Sequence, residues 1–70
     1  MIGKYYQAIN PNCQIRVLDY VGFYEVRHYY NVQILDDERV LPLTQHQILS
    51  GNFKIPSVRK ISEIYEGVKR

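Results

Sequence analysis

Two apolar runs, Val32-Gln33-Ile34-Leu35 and Val40-Leu41-Pro42-Leu43, flank the four charged residues Asp36-Asp37-Glu38-Arg39. Short β-branched runs on either side of a compact polar connection read as a β-hairpin. Pro42 has no N–H for a ladder, so it marks a sheet edge or a strand end. This pairing constrains the chain more than any other feature, because a hairpin alone is marginal and needs further strands or a helix to cover its apolar face.

The same logic supplies those strands. Gln14-Ile15-Arg16-Val17-Leu18-Asp19-Tyr20 begins with polar and apolar residues in alternation and reads as a half-buried strand. Gly22 is read as the next bend. Tyr24-Glu25-Val26-Arg27-His28-Tyr29-Tyr30 then reads as another strand, with Glu25, Arg27 and Tyr29 on one face and Tyr24, Val26, His28 and Tyr30 on the other. One long bent strand from 23 to 35 is the alternative. Before these lies the aromatic segment Lys4-Tyr5-Tyr6-Gln7-Ala8-Ile9, broken by Asn10-Pro11-Asn12.

Helical signals fall later. Thr44 stands before Gln45-His46-Gln47-Ile48-Leu49, with Gln47 at the third position that a capping box requires. Gly51 suits a left-handed cap, so a single helical turn is predicted over 45–50. Phe53-Lys54-Ile55-Pro56 is extended, since the residue before proline avoids the helical region. In the tail, Val58, Ile61, Ile64 or Tyr65, and Val68 recur at helical spacing behind a Ser57 cap, and Glu66 with Arg70 makes an i,i+4 pair. β-branched residues and Gly67 oppose a helix there, yet a short helix over 57–70 is the favoured reading.

Seventy residues, 46% hydrophobic and 23% charged, make one globular domain with a small core. The expected fold class is mainly β. It is a small, strongly bent, SH3-like β-barrel of about five strands with a short helical turn and a C-terminal helix. The domain spans 1–70, with a core over 12–56 and an appendage over 57–70. One cysteine, Cys13, makes no internal disulfide, which points to a reducing compartment, a cytoplasm. No run approaches the ~18–20 apolar residues of a membrane span, and the first residues lack the apolar centre of a signal peptide.

The middle of the chain resembles a small SH3-like module of phage and mobile-element proteins. The resemblance rests on Asn12-Cys13, on Ile15-Arg16-Val17-Leu18-Asp19-Tyr20, on Val26-Arg27, and on Leu49-Ser50-Gly51-Asn52-Phe53-Lys54-Ile55-Pro56. It covers roughly residues 12–56. His28 stands where an aromatic is usual, and Asp36-Asp37-Glu38 replaces a turn containing glycine. The resemblance implies a phage or mobile-element context and a binding role, and it carries no catalytic residue with it.

Candidate chemistry is sparse. Cys13 with His28 is the one nucleophile–base pairing on offer, and a lone cysteine at a strand start is more often packed than reactive. Neither histidine, His28 nor His46, stands at the close ligand spacing of a zinc site with Cys13 or Asp19, so no metal and no cofactor are expected. No enzyme is therefore expected.

The expected activity is non-covalent binding to a protein, a host or phage complex that the chain inhibits or modulates. Its surface would combine the exposed tyrosines Tyr24 and Tyr29 with Arg27 and the acidic turn Asp36, Asp37 and Glu38. Tyr5, Tyr6, Tyr24, Tyr29 and Tyr30, interleaved with Lys4, Arg16 and Arg27, make a candidate stacking platform. Alternation sends Tyr29 and Tyr30 to opposite faces.

The alternative is a DNA- or RNA-binding module. Residues 1–50 hold four bases and five acids, a net of −1, whereas 51–70 hold five bases and two acids, a net of +3. That basic third supplies Lys54, Arg59, Lys60, Lys69 and Arg70. A tyrosine-rich strand edge or the amphipathic 58–68 segment offers a homodimer interface.

Overall fold

The computed structural model describes residues 1–69. Four strands form one antiparallel sheet in the order of the chain: β1 (Tyr5–Ala8), β2 (Cys13–Tyr24), β3 (Arg27–Ile34) and β4 (Val40–Thr44). Two helices follow, α1 (Gln45–Ser50) and α2 (Val58–Gly67). The fold is mainly β, with four strands rather than about five. No ladder joins β1 to β4 among the described residues, so these two remain the edges of an open sheet.

The predicted hairpin is β3–β4, with Val32 opposite Leu41 and Tyr30 opposite Leu43. Ile15, Val17, Val32, Ile34, Leu41 and Leu43 point to one face and are sealed by Ala8, Ile48 and Phe53. Helix α1 starts directly from β4 and buries Ile48 there. The chain beyond it then ties to the far edge. The amides of Ile9 and Asn10 both donate to the Gly51 carbonyl, and the Phe53 amide donates to the Asn10 carbonyl. The first core is thus spanned by a helix from one edge strand to the other.

The second face carries its own small core of Val21, Tyr29 and Ile64, with Tyr24 and Val68 against it. Ile64 is the buried residue of α2 and packs in this second core, while Ile61 of the same helix packs against the first. Two irregularities in β2 make this possible. The register with β3 shifts between Val17 and Asp19 and again between Tyr20 and Gly22, running Val17–Val32, Asp19–Asn31, Tyr20–Tyr30 and Gly22–Tyr29. Each extra residue shifts the alternation and sharpens the local bend. Val17 therefore feeds the first core and Val21 the second.

Gly22 is not the bend. β2 runs through it to Tyr24, and the turn is Glu25-Val26, so the strand expected over Tyr24–Tyr30 is interrupted by that turn. The glycine serves a tertiary contact instead. A Cβ added at Gly22 would lie 3.0 Å from both the Lys69 carbonyl oxygen and the Val68 Cβ. There Phe23 and Lys69 exchange two backbone hydrogen bonds of 2.8 and 2.9 Å. The same displacement corrects Val26, which was expected on an apolar strand face and is 85% exposed in the turn.

Both helix caps follow their local chemistry. The Gln47 amide donates to Thr44 Oγ1, and the Thr44 amide donates to Gln47 Oε1, a complete capping box. Gly51 closes α1 at φ 69°. The Lys60 amide donates to Ser57 Oγ at the start of α2. The Glu66–Arg70 pair lies outside the described residues.

Candidate functional site

The β2–β3 turn positions one wall of the site. Tyr24 pairs with Arg27 across Glu25 and Val26, whose φ values are 49° and 60°. Positive φ at both central residues is the signature of the turn that best matches strand twist, and it normally selects Asn and Gly. A β-branched valine there carries a backbone cost of about 1–2 kcal/mol. Arg27 and His28 follow at once, so this turn fixes where both side chains start.

Behind the turn stands a row of rings. The Phe23 and His28 centroids lie 5.0 Å apart, those of His28 and Tyr20 5.8 Å, and those of Tyr20 and Tyr30 5.4 Å in an edge-on arrangement. The Tyr20 hydroxyl and His28 Nδ1 are hydrogen-bonded at 2.7 Å, which orients the imidazole. Phe23 remains 41% exposed at the end of this row.

Helix α1 forms the other wall. Burial of Ile48 turns His46 and Leu49 outward, and Leu49 is 58% exposed. Between the two walls lies an open groove of about 600 Å³, lined by Arg27 and His28 from the hairpin and by Gln45, His46, Leu49 and Ser50 from α1. A smaller recess of about 330 Å³ shares Arg27 and His46 with the groove and adds Tyr29 and Gln47. A third of about 220 Å³ shares Tyr29 and Gln47 with the second and reaches Pro42, Lys54 and Lys60. Shared lining residues set the three side by side as a trough from the hairpin turn, past the start of α1, to α2.

This arrangement divides the residues expected at a protein-binding surface. Arg27 opens β3 and lines the trough, and Tyr24 faces it across the turn from the end of β2. Tyr29 was expected to be exposed, but it is 8% exposed, because α2 lays Ile64 over it. Only part of its surface reaches the trough wall. Asp36, Asp37 and Glu38 lie beyond the far end of β3. Eight residues of strand place them about 25 Å from Arg27. They therefore form a separate acidic tip, in which Asp37 pairs with Arg39 at 3.4 Å.

The nucleic-acid set is also divided. Arg59 pairs with Glu63, and Lys60 pairs with Glu25 while standing over the Tyr24 ring. Lys54 lines the trough, and Lys69 sits beside Phe23 on the edge of β2. Arg70 lies outside the described residues. On the aromatic platform, Tyr5 is exposed and lies under Arg16 at 5.5 Å, but it is on β1, away from the row of rings.

Cys13 and His28 are not brought together. Cys13 opens β2, whereas His28 pairs with Phe23 near the other end of that strand. Partial burial, then the carboxylates of Asp36 and Asp37, push the Cys13 thiol above its ordinary value and so favour the unreactive form. Among the described residues, no three or more His, Cys, Asp or Glu side chains are grouped to hold a metal. No helix among them is long and apolar enough to cross a membrane.

The sequence reading missed Leu49, and it did not join His46 to His28. The signal was present in α1: once Ile48 is assigned to the core, the positions on either side of it on a single helical turn must face away. Comparison with family models, curated proteins and solved structures finds no match for this chain.

Proposed function

We propose that this chain is a non-catalytic binding module that docks a protein partner in the groove between the β2–β3 turn and α1. The observation that carries the reading is the groove of about 600 Å³ in which exposed Leu49 stands with Arg27, His28 and His46. An apolar anchor ringed by hydrogen-bond donors and cations is the usual make-up of a binding hot spot. The strained, exposed Val26 beside it adds weight. Left-handed valine persists only where the surroundings hold it, and such sites cluster at functional surfaces.

Nucleic-acid binding is the weaker reading, because the basic residues are dispersed: Arg59 on α2, Lys54 and Lys60 in the trough and Lys69 beside Phe23. The inhibitor role on a host complex, the phage setting and the reducing cytoplasm rest on the resemblance to SH3-like modules and on the single cysteine. The two irregularities of β2 and the span of α1 between the edge strands support a relation to that strongly bent barrel.

Capture from a lysate of the native host tests the reading. Wild type and the triple variant D36N/D37N/E38Q are expected to recover the same partner, and L49D is expected to lose it. Equal recovery by L49D, or loss in the triple variant, overturns the groove as the docking surface.

A further inference from the structure

We propose that the occupant of the trough is an extended acidic segment of a partner protein, with an apolar side chain seated against Leu49 and carboxylates facing Arg27, His28, His46 and Lys54. The inference rests on the docking reading above and adds the chemistry of the ligand.

Charge complementarity carries it. Among the described residues, the ionisable groups that line the three recesses are Arg27, His28, His46, Lys54, Lys60 and the phenol of Tyr29, with no carboxylate. The chain as a whole has 7 Asp+Glu against 9 Lys+Arg, so this local exclusion does not follow from composition. Among the described residues, Arg27 and Lys54 form no ion pair, nor do Lys4, Arg16 and Lys69, whereas Arg39, Arg59 and Lys60 each have a carboxylate within 4 Å. Glu25 stands 3.8 Å from Lys60 at the rim. That pair is solvent-exposed and weak, so a ligand carboxylate can displace it.

The shape agrees. The recesses adjoin one another, sharing Arg27 and His46 and then Tyr29 and Gln47, and this succession suits a strand-like segment better than a compact ligand. Arg27 presents a fork of donors suited to a carboxylate. A single-stranded nucleic acid would satisfy the charge but would also need successive ring faces. The rings nearest the groove stack edge-on or tilted against one another instead.

Fluorescence anisotropy with three labelled probes tests the proposal on the full chain: a short peptide of Glu and Leu, its counterpart of Lys and Leu, and an oligo-dT strand. The Glu–Leu peptide is expected to bind, more weakly as salt rises. R27E/K54E is expected to lower its affinity roughly tenfold or more, through reversal of two facing charges. Both positions are exposed, and an unchanged far-UV circular dichroism spectrum separates lost binding from lost folding.

Tighter binding of oligo-dT than of the Glu–Leu peptide overturns the proposal in favour of nucleic acid. Salt-sensitive self-association abolished by D36N/D37N/E38Q overturns it in favour of a second copy. No binding of the acidic peptide, while L49D still abolishes partner capture, overturns the acidic chemistry and leaves the docking reading in place.

Discussion

Tyr65 donates its hydroxyl hydrogen to Asn31 Oδ1, and Asn31 Nδ2 in turn donates to Asp19 Oδ1. This relay joins α2 to β3 and β3 to β2 on the face opposite the main core. Burial, and then the Asp19 carboxylate, push the Tyr65 phenol above its ordinary value of 10.0, because both disfavour the phenolate. The native state thus holds this proton more tightly than the unfolded chain does. Its contribution to stability is whole below pH about 10 and is lost as pH rises through the raised native value. Urea unfolding of wild type and Y65F as pH is raised checks this. The stability gap between them is expected to narrow above pH about 10, and a constant gap would count against the relay.

Val26 is expected to cost stability. V26G removes a Cβ from a left-handed position and should stabilise the hairpin by about 1 kcal/mol. For a chain of this length that raises the melting temperature by roughly 4–8 °C. Calorimetry measures it. A lower melting temperature would show that Val26 packs favourably in the native state.

Gly67 ends α2 against the ring of Tyr24. A Cβ there would lie within 3 Å of Tyr24 Cδ1 and in harder overlap with Cε1. G67A is therefore expected to destabilise by about 1–3 kcal/mol through overpacking, in spite of the higher helix propensity of alanine. Chemical denaturation reads the loss. If Y24A restores part of it in the double variant, the clash is located.

Thr44 caps α1 and so places His46 and Leu49 in the groove. T44A should cost about 1 kcal/mol. Hydrogen exchange is expected to quicken first in 45–50, because α1 is too short to persist without its cap. Uniform exchange across the chain would mean that packing of Ile48 alone holds the helix.

The features legible in the sequence were those set within a few residues. The 44–51 capping box and left-handed glycine, the Ser57 cap and the Asp36–Arg39 hairpin each depend on hydrogen bonds or dihedral preferences of near neighbours. The segments 45–50 and 32–43 fold accordingly. Gly22 carried the strongest turn signal in its region, but its missing side chain is used by Val68 and Lys69, which are more than forty positions away in the sequence.

Tertiary packing decided the rest. The register of β2 against β3 shifts between Val17 and Asp19 and again between Tyr20 and Gly22, and those shifts send one strand into two cores. Tyr29 is covered because α2 packs Ile64 against it, and Arg27, His28 and His46 line one groove because α1 is set beside the β2–β3 turn. Local chemistry determines where strands and helices begin and end. Which faces are covered, and which cations are left facing an open trough, depends on long-range burial that no short stretch of residues encodes.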